Sequence, residues 1–475
     1  MTTVEIAAPF DVCGPLPTGT TVLEASAGTG KTFTIAALAT RYVAEGIAEL
    51  SDLMLVTFSR AATQELRERV RERLVSAEHG LADPGGARAG SDELLRLLAT
   101  GTDDAVALRR HRLSRALAGF DAATIATTHG FCQQMLAGLG MLGDREEDTT
   151  FVEQVDDLVK EVVDDLYVRK FAREPGDPEI NYLCARKVAR DAMADRQAEL
   201  VPVDAPKGSA AQLRYGMASK VREEVERRKR IRRLIDYDDL LTRLRDALTD
   251  PVRGAAACER LRSRYQVVLV DEFQDTDPVQ WQVLDRAFSG VATLVLIGDP
   301  KQAIYAFRGA DVYSYLDAVQ QADRVCTLGT NRRSDEVLVE ALDTLLGGAA
   351  LGDEQIVVRP VRAHHRGSRL MVTPVSGTDP LAAPVRLRIW PHAPDAERVP
   401  SVATIRPRIL ADLVADVTAL LASDLRLDLG AGPRPVAPAD IAVLVRKNER
   451  GEAVRDGLVA AGVPAVMHGA SSVFA

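Results

Sequence analysis

Long apolar runs are absent from this chain of 475 residues. No stretch approaches the roughly 18 residues that crossing a bilayer requires, so the sequence offers no membrane-spanning helix. The segment Met1 to Asp11 has no basic region followed by an apolar core, and no secretory signal is expected. Cysteine is scarce. The five residues (Cys13, Cys132, Cys184, Cys258 and Cys326) are scattered, odd in number and never spaced C-x-x-C. That pattern argues against a disulfide frame, a zinc ribbon or an iron–sulfur cluster, and a reduced cytoplasmic setting is expected. An excess of positive charge is also missing, since 59 Lys and Arg stand against 68 Asp and Glu. The net charge of −9 disfavours a coat-like nucleic-acid binder, although a motor on nucleic acid needs only a local basic track. There are no internal repeats or low-complexity tracts. What remains, 46% apolar and 27% charged, is the composition of a globular protein. Its length has room for roughly two to four domains.

Alternation of strands and helices predicts a parallel α/β sheet. Thr20–Ala25 is apolar and β-branched, runs into a Gly-rich turn, and leads to a helix over Lys31–Ala44 with Gly46 as its stop. A second strand, Leu53–Phe58, precedes a charged helix from about Ala61 to Ala77. There Ala62, Leu66, Val70 and Leu74 make an apolar stripe. Asp83-Pro84-Gly85-Gly86 to Gly90 reads as a loop, and a third strand lies near Thr124–Thr127. From about Gly140 to Ile235 the strand pattern vanishes. Val152, Val155, Val159, Val162, Val163 and Leu166 follow helical spacing, so this stretch reads as a helical insertion. The sheet resumes at Val267–Val270 and Thr293–Ile297, and a second α/β region is expected from near Val325. That region reads as a helix near Ile409–Ala422, a strand Ile441–Val445, a helix and a short strand Ala465–His468. Residues 347–404 resist assignment.

Two motifs carry chemistry. In Glu24-Ala25-Ser26-Ala27-Gly28-Thr29-Gly30-Lys31-Thr32, a strand ends in a Gly-rich turn at a helix N-terminus, where backbone N–H groups and the helix dipole favour phosphate. Residues Ala25 to Thr32 form the candidate ATP cradle. Lys31 is placed to bridge the β- and γ-phosphates, and the Thr32 hydroxyl to ligate Mg²⁺. Ala25 stands where the general G-x-x-x-x-G-K-[ST] pattern has its first glycine. In Val267-Val268-Leu269-Val270-Asp271-Glu272, the strand delivers Asp271 to the sheet's carboxyl edge, where ligands bind in open α/β sheets. Asp271 is the candidate Mg²⁺ holder and Glu272 the residue that activates water. A lone Asp-Glu pair is commonly just a solvated strand end; the companion phosphate motif argues for a nucleotide hydrolase.

The order of further motifs resembles the UvrD-like superfamily 1 helicases. Asp271-Glu272-Phe273-Gln274-Asp275-Thr276-Asp277-Pro278 is similar to their motif II, and Gly298-Asp299-Pro300-Lys301-Gln302 through Asp311 to motif III. Leu55-Val56-Thr57-Phe58-Ser59-Arg60-Ala61-Ala62 resembles motif Ia, Thr127-Thr128-His129-Gly130-Phe131-Cys132 motif Ib, and Thr330-Asn331-Arg332-Arg333-Ser334 motif IV. Within the superfamily the phrases Ala61-Ala62-Thr63-Gln64-Glu65-Leu66-Arg67, Asp236-Tyr237-Asp238-Asp239-Leu240-Leu241 and Asp440-Ile441-Ala442-Val443-Leu444-Val445 are of the RecB type. The AddA type is the runner-up; it usually carries a glutamine before the phosphate loop, and Phe10 to Gly19 has none.

The resemblance implies an α/β P-loop NTPase fold: a RecA-like parallel sheet with an inserted helical domain, then part of a second RecA-like domain. The implied division is 1–138 and 236–324 for the first motor domain, 139–235 for the insertion and 325–475 for the second. It implies an ATP-dependent DNA helicase, 3′ to 5′, acting in double-strand break repair and recombination with RecC- and RecD-like subunits. Gln302 is then the γ-phosphate sensor, Arg333 an arginine finger, and Arg332 stands where related enzymes stack an aromatic residue on adenine. Thr57, Phe58, Arg60, Thr127, His129, Tyr305 and Phe307 become candidate DNA contacts, the aromatics by stacking on bases of a single strand. Core packing is the competing reading for each aromatic. Lys220 to Arg233, with eight Lys or Arg against three Glu, either faces duplex DNA or is a solvated helix laced with salt bridges. Motifs V and VI and a nuclease domain are not found before Ala475, so a truncated motor is expected. A nucleotide- and DNA-binding piece without unwinding activity is the alternative, and a small-molecule P-loop kinase a more distant one.

Overall fold

A computed structural model describes residues 8–140, 149–172, 178–306, 309–371, 383–389 and 401–467. They fall into two compact units, one of the chain up to Gly329 with Ala350–Val358, the other of Thr330–Ala349 and the chain from Arg359. Among the described residues no helix is long and apolar enough to cross a membrane, and all five cysteines are free thiols.

In the first unit, strand β1 (Ala8–Pro9) precedes β2 (Thr20–Ala25), which feeds helix α1 (Lys31–Glu45). Gly46, at φ 77°, ends α1 in the left-handed conformation that glycine adopts freely. Strand β3 (Leu53–Thr57) is buried throughout, and Ser59 starts α2 (Arg60–Gly80) by accepting the Ala62 N–H. The expected loop after it is instead helix α3 (Pro84–Ala89). Asp83 caps it at the Gly86 N–H, and Pro84 sits in the first turn, where a missing N–H costs nothing. Helices α4 (Glu93–Leu98) and α5 (Asp103–Ala118) follow, then β4 (Thr124–Thr127) and α6 (Thr128–Leu139).

Next come the paired short strands β5 (Thr150–Phe151) and β6 (Leu234–Ile235), which enclose helices α7 (Asp156–Phe171), α8 (Tyr182–Ala194) and α9 (Ala210–Arg232). Two-residue strands are too short to leave a periodic signal, so sequence patterning passes over them. The three helices have a core of their own, built on Val162, Val163, Ala185, Ala189, Val221 and Val225. After β6 come α10 (Tyr237–Thr249), α11 (Gly254–Arg264), β7 (Val267–Val270), α12 (Pro278–Phe288), β8 (Thr293–Gly298), α13 (Val312–Gln321) and β9 (Arg324–Leu328).

The sheet runs β1-β9-β2-β8-β7-β3-β4, parallel at every pairing. Successive side chains alternate between two cores, as the two-residue strand period requires. Leu23, Leu55, Leu269, Val295 and Ile297 pack under α1, α2 and α5, whereas Val22, Val56, Val268, Val270 and Leu296 pack under α6, α10 and α12. The second α/β region was expected from Val325. That residue instead pairs with Val22 inside this sheet, and the second unit opens at Thr330.

A buried ionic junction ties the three-helix insertion to α10. Lys229 on α9 is only 2% exposed and lies 2.6 Å from Asp239 Oδ1 and 2.9 Å from Asp236 Oδ2. Arg196 pairs with Asp236 and with Glu226, and Asp236 and Asp239 cap each other's backbone N–H groups at the start of α10. The rest of the basic stretch is largely neutralised within the bundle. Arg227 and Arg228 pair with Glu224, Arg228 also with Glu161 and Asp165, and Arg232 with Glu161. Arg222 donates to the carbonyls of Ala192, Asp195 and Ala198. Of the two readings of residues 220–233, the helix laced with salt bridges is the one this arrangement favours.

In the second unit, β10 (Thr330–Asp335) leads to α14 (Glu336–Leu346) and pairs in parallel with β11 (Arg362–His365). Strands β12 (Leu370–Met371), β13 (Arg426–Leu427) and β14 (Arg434–Pro435) form an antiparallel ribbon around helix α15 (Val402–Ala422) in chain order. Helix α16 (Asn448–Ala460) meets α15 at Val417, Leu458 and Val463. Two expected strands are missing. Ile441–Val445 and Ala465–Met467 form none, Leu444 and Val466 are almost fully exposed, and His468 lies outside the described residues. An apolar segment becomes a strand only when a neighbour completes its ladder, and neither has one among the described residues.

Replacing Lys229 with Met should strip Asp239 of its nearest cation and leave Asp236 with Arg196 alone. The expected cost is about 3–5 kcal/mol, seen in urea unfolding as a lower midpoint and in limited proteolysis as faster cleavage between α8 and α9. Unchanged unfolding and cleavage would show that the junction does not hold the insertion.

Candidate nucleotide and nucleic-acid site

Three strands of the first unit end side by side. β2 lies between β9 and β8, and β8 between β2 and β7. After β2 the chain turns sharply through Gly28 (φ 78°) and Gly30 (φ 88°), both in the left-handed region. Thr29 Oγ1 donates to the Ser26 carbonyl at 2.7 Å, and the Gly30 carbonyl accepts both the N–H and the Oγ1 of Thr34, at 2.9 and 3.0 Å. Ala25 is fully buried at the strand end, while Ser26 and Ala27 lead the turn. Lys31 and Thr32 open α1, and no acidic side chain occupies its first turn. The turn thus presents backbone N–H groups at the positive end of a helix dipole, the conditions for holding an anion.

At the end of β7 the Asp271 N–H donates to the Val56 carbonyl at 2.8 Å, carrying the ladder one residue past the strand. The Glu272 N–H donates to Asp271 Oδ1 at 3.0 Å. Glu272 itself takes φ 51°, ψ 42°, a left-handed conformation that costs a non-glycine residue of the order of 1–2 kcal/mol. Its Oε2 accepts from Lys31 Nζ and, at 2.8 Å, from Gln274 Nε2. Burial, reinforced by the Glu272 carboxylate, pushes Asp271 up to about 7 and Asp275 up to about 6. Buried acids of this kind fit a cation. Among the described residues no three His, Cys, Asp or Glu cluster as a metal site. A divalent ion here would therefore use Asp271, the Thr32 hydroxyl and oxygens of a bound ligand, the mixed set usual for Mg²⁺.

A polar chain runs on from Glu272 to the end of β8. Gln274 Oε1 accepts the Asp299 N–H at 2.9 Å, Asp299 Oδ2 accepts from Gln302 Nε2 at 2.6 Å, and Asp299 Oδ1 lies 2.8 Å from Lys301 Nζ. Lys301 also reaches Glu24 at 3.3 Å. The sequence reading chose Glu272 and Gln302 but passed over Gln274, Asp299 and Lys301. Gln274 and Asp299 are each only 2% exposed. A polar residue just beyond an apolar strand was the available signal, but sequence alone does not say which such residues face one another.

The candidate DNA contacts divide. Phe58 and Tyr305 are half-buried and stack on each other, ring centroids 4.9 Å apart at 32°, outside the apolar cores. Phe307 lies outside the described residues. Thr57 is a correction: it is 1% exposed, with its hydroxyl buried and without a hydrogen-bond partner, so its side chain offers no surface to a polymer. Arg60 is exposed and reaches Glu153 at 2.6 Å and the Tyr237 hydroxyl at 3.0 Å. Tyr237 also packs against His129 and Phe151, at centroid distances of 4.6 and 4.9 Å. Burial lowers the His129 pKa and favours the neutral ring. Thr127 caps α6 by accepting the Gly130 N–H at 3.1 Å. Arg332 and Arg333 belong to the second unit, where both are exposed on β10. There Asn331 Oδ1 accepts the N–H groups of Arg333 and Ser334.

The family model for the UvrD/REP helicase N-terminal domain matches residues 12–323. The chain belongs to the UvrD/REP helicase family, as its motif order implied. Among individual proteins it is 50% identical to the RecBCD enzyme subunit RecB of Mycolicibacterium smegmatis and 48% identical to that of Mycobacterium tuberculosis. Each match covers 98% of this chain and 42% of the relative. The RecB subunit of Escherichia coli is 33% identical over 52% of this chain and 21% of its own length. The chain spans less than half the length of these relatives.

Replacing Gly30 with Ala should cost about 1–2 kcal/mol from the left-handed backbone alone. A thermal melt of the purified chain should record this as a lower midpoint, and an unshifted melt would show that the turn relaxes at no cost.

Proposed function

We propose that this chain is the ATP-driven motor portion of a DNA helicase, a RecB-like subunit working in double-strand break repair and recombination. The observation that carries the reading is the meeting of Lys31 with Glu272, which sets a phosphate-binding lysine against a water-activating carboxylate. The phosphates of ATP lie on the N–H groups of Gly28 to Thr32, and Ala25 to Ala27 shape the approach. Lys31 exchanges Glu272 for the β- and γ-phosphates. Glu272, released, orients a water molecule and takes its proton. Mg²⁺, held by Thr32 and Asp271, would neutralise charge on the phosphates when bound. Gln302 senses the γ-phosphate, and by the family likeness Arg333 serves as an arginine finger and Arg332 as a contact to the base.

Single-stranded DNA stacks on Phe58 and Tyr305, with Phe307 as a further contact and Arg60, Thr127 and His129 nearby in sequence motifs of the same kind. The first motor domain is made of residues 1–138 and 236–329, interrupted by the helical insertion. Duplex DNA near that insertion, 3′ to 5′ polarity and RecC- and RecD-like partners complete the reading, on the strength of the family likeness.

The test is steady-state ATPase activity with and without single-stranded DNA. Turnover should rise with DNA, and Lys31→Ala and Glu272→Gln should each lower it by about a hundredfold or more. Turnover indifferent to DNA, or surviving both substitutions, sinks the proposal. In a separate binding measurement at fixed salt, Phe58→Ala should weaken single-strand affinity by about 1–3 kcal/mol. Unchanged affinity would return Phe58 to a packing role.

A further inference from the structure

We propose that Gln274 is a positioning residue that links the water-activating Glu272 to the loop carrying Gln302 and Tyr305, so that DNA held at the aromatic pair governs the orientation of the carboxylate. The inference rests on the functional reading above. It begins with the amide itself, which is 2% exposed and occupied at both ends. Nε2 donates to Glu272 Oε2 at 2.8 Å, and Oε1 accepts the Asp299 N–H at 2.9 Å. Rotating the amide by half a turn would set its oxygen against a carboxylate and its NH₂ against an N–H. Only one orientation satisfies both neighbours.

The surroundings enforce that orientation. A Cβ built on Gly298 would lie 2.8 Å from Gln274 Oε1 and 3.1 Å from the backbone nitrogen of Gln274, so the close approach of this residue to the end of β8 needs glycine there. Glu272 sits in a left-handed backbone conformation, and its carboxylate is held by Lys31 and Gln274. When Lys31 moves to a phosphate, the Gln274 amide becomes the remaining hold on that carboxylate.

The other end of the amide leads toward the DNA contacts. The residue whose N–H it accepts, Asp299, holds Gln302 through its side chain at 2.6 Å. Three residues beyond Gln302, Tyr305 stacks on Phe58. Strands β7 and β8 are paired in register from Val267 with Thr293 to Val270 with Leu296, which fixes the bases of both loops. Between two fixed strand ends, the side chain of Gln274 is the short link through which a shift of the Tyr305 loop reaches Glu272.

A double-mutant cycle on the purified chain tests this against a merely structural role. ATPase kinetics with and without oligo(dT) would be measured for the wild type, Gln274→Met, Gln302→Ala and the double variant, with circular dichroism melts to verify folding. Gln274→Met should lower the DNA-stimulated kcat by roughly tenfold to a hundredfold, while the KM for ATP moves by less than about threefold. The double variant should fall within about twofold of the worse single variant, because the two residues act in one chain. Losses that multiply, or DNA stimulation of Gln274→Met equal to wild type, overturn the relay and leave the functional reading standing. A wild-type chain without DNA-stimulated turnover overturns the functional reading and the relay with it. If Gln274→Met does not fold, Gln274→Asn takes its place with the same expectations. It keeps the amide but is one methylene shorter, so it cannot reach both Glu272 and the Asp299 N–H.

Discussion

Parallel pairing of β2, β8 and β7 is the constraint on which the rest of the molecule depends. Each strand is apolar on both faces and buried between two helical layers, and the three pair in register across the centre of the sheet. Parallel strands end at the same edge, so the phosphate turn, the acidic pair and the Gln302 loop emerge together. Lys31 and Glu272, separated by 241 positions in the chain, become neighbours through this pairing. A slip of one residue in β7 would send every side chain to the opposite face and carry Asp271 into the sheet. The chemistry therefore has the same cause as the core.

Charge is used in two distinct ways. In the insertion, Lys229 and Arg196 meet carboxylates at its junction with α10, and most neighbouring arginines are matched to acids or carbonyls. Such a network fixes one helix against another. At the strand ends the balance is reversed. Asp271 and Asp275 are raised by burial and by the Glu272 carboxylate, while Lys31 is the cation that offsets them. That local excess of buried acid would give a divalent ion something to compensate, and the adjoining helix terminus would offer its N–H groups to phosphates. Opposite charges thus meet in one place, as nucleotide binding with a metal requires.

Much of the site was legible because local chemistry writes it into short stretches. A turn needing left-handed backbone requires Gly28 and Gly30, and a strand that delivers a carboxylate needs an apolar run before Asp271. The family could be read for the same reason, since its motifs are strand ends with fixed residue types. Legibility failed where a feature depends on a distant neighbour. Val325 looked like the start of a new sheet because its pairing with Val22 lies some three hundred positions away. Ile441–Val445 is an apolar run like a buried strand yet forms none, because strand formation is a property of a pair. The helix Pro84–Ala89 was masked by glycines that usually mark loops, although Asp83 and Pro84 were sound local signals for a helix start.

By itself the sequence determined the periodicities, the turn conformations and the residue types at the strand ends, because these follow from backbone sterics and local hydrogen bonding within a few residues. From them came the α/β class, the phosphate turn, the acidic pair and the family. Only the tertiary structure decided that Gln274 faces both Glu272 and Asp299, that Phe58 stacks on Tyr305, that Thr57 is buried and that Lys229 is sealed against Asp236 and Asp239. Each of these joins side chains from different elements. Which of many equivalent polar or aromatic side chains meet is settled by the register of the sheet and the packing of helices over it, and no local pattern in the chain encodes that.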